Sequence, residues 1–487
     1  MPPTRSHRRS VPLKSGSSES RKVKRKSRSA RKKFWKPSKT SALGFVPPDF
    51  PHPLSPSLQL KGGKTLQGEY SPPGDKSISH RAVMFGALAQ GTSRFTHFLA
   101  ADDCLRTVQA FQSMGIPVKH DPARHTLEVE GRGPNGLSAP SNMLDVGNSG
   151  TTIRLLLGIL AGQHFEAALT GDESLCSRPM KRVTVPLKQM GAQIKGRDNA
   201  NFAPLTIRGG KLKGIDFENQ LASAQVKSAI LLAGLFAEGK TRVLEKIPSR
   251  DHTERFLKAT GAPFRKEGEW LAIEKAPSLK PLEAALAGDF SSAAFFITAA
   301  AMREGAGLRV KRVGLNPTRT GLLRILRRMG ASIEEKIQEE SLEPVGEVWV
   351  KGKRLRGVRV APEEIPSVID ELPVLMVACA LAEGESLFSG ASELRVKETD
   401  RIHSMAAGLN ALGGRVKELP DGCLIEGVEA FQAGRVASFG DHRTAMSLAV
   451  ASLAARGEIL IEGVEAIPTS YPGFFKDFEA LTRSNFR

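Results

Sequence analysis

One pattern constrains this chain more than any other. GDKSISHRAVMFGALAQG begins at Gly74, and five further segments follow the same plan: GNSGTTIRLLLGILAG from Gly147, SAQVKSAILLAGLFAEG from Ser223, GDFSSAAFFITAAAMREG from Gly288, DELPVLMVACALAEG from Asp370 and GDHRTAMSLAVASLAARG from Gly440. Each opens on polar residues, runs through alanine and leucine, and closes on a glycine. The starts lie 73, 76, 65, 82 and 70 residues apart. A helix with no wide polar face belongs in an interior. The closing glycine reads as a helix C-cap.

A second series interleaves with the first: DDCLRTVQAFQSMGIPV, SRPMKRVTVPLKQMGAQI, DHTERFLKATGAPF, NPTRTGLLRILRRMGASI, KETDRIHSMAAGLNALGGRV and TSYPGFFKDFEAL. These read as capped helices, the first five leading into a strand. The unit is β-α-β-α-β-β, about 70 residues long, longer than solenoid repeats and large enough to carry its own sheet. Six such units make an α/β protein. The last copy ends before its closing strands, and the strand-like LQLKGGKTLQGEY at 58–70 is expected to complete it. Three units each gives an inserted domain over 74–287 and a discontinuous one made of 57–73 and 288–487.

The formal net charge is +19, but residues 1–40 hold 15 Lys and Arg against one acid, Glu19. The body therefore carries only a small positive excess. The basic tail and the proline-rich GFVPPDFPHPLSP, together 1–56, are expected to be disordered. Three readings of the tail stay open: a solvated polycation, weak attraction to nucleic acid or another anionic surface, and a transit peptide that would place the protein in a plastid rather than the cytoplasm. No apolar run reaches the ~18–20 residues of a membrane span. Cys104, Cys176, Cys379 and Cys423 form no CxxC pair, which fits a reducing compartment. With no HxxxH spacing either, no protein-built metal site is expected.

The polar starts of the buried helices ask for a partner. Ser, Asn and Asp there can cap the first backbone N–H groups. Lys76, Arg81, Arg154 and Arg443 cannot, and cations run against the preference of a helix N-terminus, which attracts anions. Arg178, Arg250, Lys397 and Arg401 sit at starts of the second series. Ser77 and Arg81, and likewise Lys397 and Arg401, are spaced i,i+4 and are expected to share a helical face. Such a gathering of cations suits multi-anionic ligands. GxxxxGK[ST] and GxGxxG motifs are missing.

At GDKSISHR, GNSGTT, RPM, SAQVK, SRDHTE, NPTRT, DELPV, RVKETDR, GDHRTAMS and TSYP the chain resembles the 5-enolpyruvylshikimate-3-phosphate synthase family, and RDHTE with SAQVK and NPTR resembles its bacterial class II branch. The resemblance runs from about residue 58 to the C-terminus. It implies a two-domain, inside-out α/β barrel with helices inside, sheets outside and the active site between the domains. It implies enolpyruvyl transfer from phosphoenolpyruvate to the 5-hydroxyl of shikimate 3-phosphate with release of phosphate, by addition and elimination, in aromatic amino acid biosynthesis via chorismate. No cofactor is implied, and a cytoplasmic monomer is expected.

By that resemblance, Lys76, Ser77, Arg81, Ser223, Ala224, Gln225, Arg250, Asp370 and Lys397 should hold shikimate 3-phosphate. Lys76, Asn148, Gly150, Thr151, Arg154, Arg178, Gln225, Arg401 and Arg443 should hold phosphoenolpyruvate. Asp370 is the candidate base at the hydroxyl, with N-capping of the DELPV helix as its other reading. Glu398 and Lys76 are candidates for the remaining proton transfers. Three positions depart from many relatives: Ala224 replaces a second serine, Arg250 a tyrosine and Thr469 a phosphate-site lysine. The sister transferase acting on UDP-N-acetylglucosamine and an RNA-end cyclase of similar unit are the rival readings.

Overall fold

A computed structural model of the chain describes residues 56–483. The expected disordered tail and linker over 1–56 lie outside the described residues, apart from Pro56.

The six alanine- and leucine-rich segments are helices: Lys76–Leu88, Gly150–Ala161, Ala224–Gly234, Phe290–Ala301, Leu372–Ala380 and His442–Ser452. Phe290–Ala301 and Leu372–Ala380 are buried at every residue, as the lack of a polar face requires. The closing glycines are not the caps expected of them. Only Gly162 occupies a C-cap; elsewhere the helix ends on Ala89, Leu235, Met302, Leu381 or Leu453. The glycine comes a few residues later, as at Gly239, Gly305 and Gly384, where φ of 79°, 80° and 93° turns the chain into the next strand.

Around these helices lie five four-stranded sheets and one of three strands. In the second unit Leu144–Asp145 runs parallel to Glu166–Thr170, which pairs antiparallel with Phe202–Arg208, which pairs with Gln193–Gly196. The third and fifth units repeat this order. The first and fourth exchange a strand. Gln67–Tyr70, just before the first inner helix, runs parallel to Gly307–Gly314 of the fourth sheet. Glu283–Ala285, just before the fourth inner helix, runs parallel to Gln90–Thr96 of the first. The 58–70 segment therefore does not all go where the sequence suggested. Ser57–Lys61 does line Ala455–Glu462 in the last unit, but its continuation leaves for the fourth.

The exchange makes two strands of chain cross. Asp75 N donates to Ala287 O at 2.8 Å and Asp289 N to Pro73 O at 2.7 Å, with Gly74 and Gly288 bridged between them. A Cβ on Gly74 would stand 1.8 Å from His97 O, and one on Gly288 2.5 Å from Arg312 O. Only glycine permits so close an approach.

Apolar side chains gather in two cores on either side of this crossing. One takes residues from Phe290 to Leu481 with Leu66 and Tyr70; the other takes residues from Ile78 to Ala287 with Val345. No helix among the described residues is long and apolar enough to cross a membrane.

Candidate active site

Inner helices from both cores present their N-terminal ends to one cavity of about 380 Å³. Lys76, Ser77, Arg81, Gly150, Thr151, Arg154, Arg178, Ser223, Ala224, Gln225, Arg250, Asp370, Lys397, Glu398, Arg401 and Arg443 all line it. Sequence reasoning scattered these residues over 368 positions; the repeat brings them together because five of the six units offer the same helix end to the same space, while the fourth, Phe290–Ala301, contributes no lining residue.

The helix ends are capped from within. Asp75 accepts from Ile78 N at 2.9 Å, Ser149 from Thr152 N at 3.1 Å, and Asp441 from Arg443 N at 2.7 Å. Capping thus uses the acids and serines and leaves the cations to the cavity. Asp370 is not a cap: Glu371 holds that position, without a side-chain bond. Asp370 instead meets Arg250 Nη2 at 2.6 Å and Arg401 Nη1 at 3.4 Å, while Arg443 Nη1 donates to its backbone oxygen at 2.8 Å. Burial raises its pKa, but Arg250, Arg443, Lys397 and Arg401 outweigh that and hold the carboxyl well below the ordinary range.

Glu398 behaves alike. Arg401 Nη2 lies 2.5 Å from it and Arg178 Nη1 3.6 Å. Burial pushes its pKa up, and Arg401, Arg178, His442 and Lys76 more than reverse that. Lys76 Nζ sits 2.5 Å from Asp103. Burial works against its charge, yet Asp103 lifts the pKa above that of a free lysine. Lys76 is therefore an ammonium, a donor rather than a base.

Three cations of the cavity have no carboxylate in ion-pair contact among the described residues. Arg81 donates only to Thr253 Oγ1 at 2.8 Å, Ser228 Oγ at 3.0 Å and its own helix at Ser77 O. Arg154 donates to Gln225 Oε1 at 2.6 Å and Pro179 O at 3.4 Å. Lys397 lies near Asp370 and Glu398 without pairing with either. Burial depresses all three pKa values, Arg81 to about 10, and for Arg154 the neighbouring Arg182 and Arg178 press further. A Cβ at Gly150 would stand 3.0 Å from Arg154 Nη1 and 3.4 Å from Arg178 Nη1, so this glycine opens directly onto guanidinium groups.

Two sequence expectations fail here. Asn148 does not line the cavity. Its amide is spent on Arg178 Nη2 at 2.6 Å and Asp172 at 2.7 Å, so it braces an arginine that does. Lys397 and Arg401 do not share a helical face. Asp400 caps the helix Arg401–Ala411, and Lys397 ends the short 3-10 turn Ser392–Val396. The spacing was right for a helix, but the cap stops the helix short of Lys397.

Asp103, Arg182, Glu393 and His442 also line the cavity and were missed. Asp103 and His442 sit inside the motifs DDCLR and GDHR, so their strings offered a signal. Arg182 and Glu393 did not, because their meaning lies in each other, 211 residues apart. Thr469 turns its hydroxyl onto Ala466 O at 2.6 Å and is not among the lining residues.

Beside the cavity the two cores also meet in a polar seam. Arg319 Nη1 reaches Asp75 at 3.2 Å and Nη2 reaches Asp289 at 3.5 Å. His252 Nδ1 lies 2.6 Å from Glu343, which accepts from Asn316 at 2.8 Å; Asn316 also donates to Asp251 at 2.6 Å. Asp251, His252 and Glu343 are close enough to hold a metal ion, but Asn316 and Arg255 already occupy their oxygens.

Residues 60–478 match the family described as EPSP synthase (3-phosphoshikimate 1-carboxyvinyltransferase). The 3-phosphoshikimate 1-carboxyvinyltransferase of Desulforamulus reducens is 50% identical over 420 residues, covering 86% of this chain and 97% of the relative. That of Desulfitobacterium hafniense is 48% identical over 431 residues, 88% and 99% of the two chains. The solved EPSP synthase of Acinetobacter baumannii superposes with a TM-score of 0.77 at 43% identity, over 88% of this chain and 98% of that one.

Proposed function

The chain belongs to the EPSP synthase family, and from that premise we propose how its cleft carries out the transfer. The reaction moves the enolpyruvyl group of phosphoenolpyruvate to the 5-hydroxyl of shikimate 3-phosphate and releases phosphate. Both substrates carry a phosphate and a carboxylate, so the enzyme must hold them together against their own repulsion.

The observation that carries the reading is the trio of cations with no acid partner among the described residues, Arg81, Arg154 and Lys397, distributed around one cavity. A buried cation is costly unless an anion meets it. Guanidinium forks bind phosphate and carboxylate in pairs of hydrogen bonds. In this proposal Ser77, Arg81, Ser223, Gln225 and Arg250 take the acceptor, with Ala224 leaving room beside them. Gly150, Thr151, Arg154, Arg178 and Lys76 take the donor phosphate, and Arg401 and Arg443 its carboxylate. Asn148 acts through Arg178.

The chemistry follows from the charges. Asp370 is ionised in the free protein but is a weak base there, because Arg250 and its neighbours hold its pKa down. An acceptor phosphate that engages Arg250 offsets one of those cations and raises the basicity of Asp370 as the substrate arrives. Asp370 then accepts the 5-hydroxyl proton while the oxygen attacks C2 of phosphoenolpyruvate and C3 gains a proton. In the second step the C2–O bond to phosphate breaks and C3 gives its proton back, restoring the double bond. Lys76, an ammonium beside Asp103, supplies the proton that C3 gains; in the second step the Glu398 carboxylate takes a proton from C3, and the proton released from the 5-hydroxyl balances the one with which phosphate leaves. Each such role is typically worth ~10²–10⁴ in rate.

The same proposal takes residues 74–287, and 57–73 with 288–487, as the two domains that meet at the cleft, in a cytoplasmic monomer. Phosphate release with phosphoenolpyruvate tests the function. Release is expected with shikimate 3-phosphate and none with UDP-N-acetylglucosamine; the reverse would assign the chain to the sister reaction.

A further inference from the structure

The cavity is bordered by an ion pair that the reaction itself does not call for. Arg182 Nη1 lies 2.5 Å from Glu393 Oε2, and both side chains are mostly buried. Arg182 belongs to the first turn of the helix Lys181–Gln189, on the side of the inserted segment. Glu393 belongs to the 3-10 turn Ser392–Val396, on the other side. The pair therefore spans the cleft.

It is one of three contacts at regular spacing. Ser174 Oγ donates to Glu398 O at 3.3 Å, Arg178 pairs with Glu398 at 3.6 Å, and Arg182 pairs with Glu393. Positions 174, 178 and 182 thus fasten the whole stretch 393–398 to the opposite side. Behind that stretch, Arg395 ties it to its own side, through Asp400 at 2.5 Å and the backbone oxygens of Leu419 at 2.6 Å and Pro420 at 2.8 Å. The segment carrying Lys397 and Glu398 is held at its back by Arg395 and drawn forward by Arg182.

Arg182 differs from the unmatched cations in the same cavity. Its charge is already met by Glu393, so it does not wait for a substrate. It also stands near Arg154 and presses down on the Arg154 pKa. An arginine placed so needs its own acid, and the nearest one is on the far side of the cleft.

We propose that Arg182 and Glu393 form a latch across the cleft, a positioning pair that sets Lys397 and Glu398 against Arg178 for the chemical step. This rests on the reading that Lys397 and Glu398 serve the reacting centre. Held closed, the pair lowers the barrier without touching substrate. Its loss therefore acts on kcat, whereas loss of a substrate ligand also raises KM.

A double-mutant cycle on the full chain tests this, with Arg182→Ala, Glu393→Ala and the double variant, plus Glu393→Gln as a shape-conserving single. kcat and both KM values are measured beside the thermal midpoint. Each single is expected to lower kcat about fivefold or more, and the double to be no worse than about the poorer single, the sign of coupled residues. The exchanged pair, Arg182→Glu with Glu393→Arg, should recover part of the loss. Losses that multiply in the double variant, or that track the thermal midpoint, overturn the latch. So does a rise in one KM with kcat unchanged in Arg182→Ala, which would make Arg182 a substrate ligand. Glu398→Gln separates the two readings. If it is impaired and the cycle shows no coupling, the latch falls and the site stands. Coupling beside a fully active Glu398→Gln enzyme overturns the role given to Glu398, and with it the latch's purpose.

Discussion

Two of the contacts between the cores are built on opposite rules. In the seam by the crossing, each cation meets an acid: Arg319 reaches Asp75 and Asp289, and Arg255 reaches Asp251, while His252 and Asn316 reach Glu343. In the cleft the acids are fewer than the cations they face. Asp370 and Glu398 share Arg250, Arg401, Arg443 and Arg178 between them, and Arg81, Arg154 and Lys397 are left over. A matched contact serves the fold. In our proposal an unmatched one is kept for anionic substrates, at a cost in stability. Both contacts use helix N-termini, so the difference lies in which side chains the six repeats place there.

The comparison breaks most severely at Arg319. Arg319→Met leaves the buried Asp75–Asp289 pair without its cation, and the expected loss is about 3–5 kcal/mol in stability. Denaturant unfolding measures it. If the variant that remains folded shows substrate KM values near those of the parent, the seam is structural as described.

Asp370→Asn sharpens the other side. The change keeps shape and removes the base. Turnover should fall by about 10²-fold or more with little loss of substrate affinity. A variant with near-normal kcat and a raised KM would make Asp370 a binding group only.

A smaller effect concerns pH. The free-enzyme pKa of Asp370 is depressed, so its carboxylate stays ionised as pH falls through the ordinary range near 4 and gains a proton only below it. The acid limb of kcat/KM, which reports the free enzyme, should therefore lie below pH ~4 as far as this group is concerned. With Arg250 engaged by an acceptor phosphate the depression is partly lifted. The limb of kcat should then stand at a higher pH than that of kcat/KM. Coincident limbs would mean that substrate does not relieve Asp370.

How much of this was legible in the sequence differs between the two regions. The six inner helices were readable because a segment such as FSSAAFFITAAA has no polar face to show to water. The convergence of five of them on one site followed from the repeat. The exchange of Gln67–Tyr70 and Glu283–Ala285 between sheets was only partly readable, because parallel pairing is set by packing rather than by local pattern. The cations announced a site, but not their partners. Lys397 and Arg401 have helical spacing, and only the Asp400 cap separates them. Asn148 sits in the right motif yet turns its amide away to Arg178. The Arg182–Glu393 pair and the Arg319 seam had no local signal at all, since each joins groups far apart in the chain.

The central claim is that the unmatched cations of the cleft are kept for substrate at the expense of the empty protein. Arg154→Met tests it most directly, because this guanidinium is buried, has only neutral acceptors and is crowded by Arg178 and Arg182. The thermal midpoint without ligand and the KM for phosphoenolpyruvate are measured on the same preparation. The account predicts a midpoint equal to or above that of the parent, with the donor KM raised by about 10-fold or more, the scale of a charged hydrogen bond lost. A clear drop in midpoint with the donor KM unchanged would show that Arg154 holds the fold and not the substrate, and would contradict it.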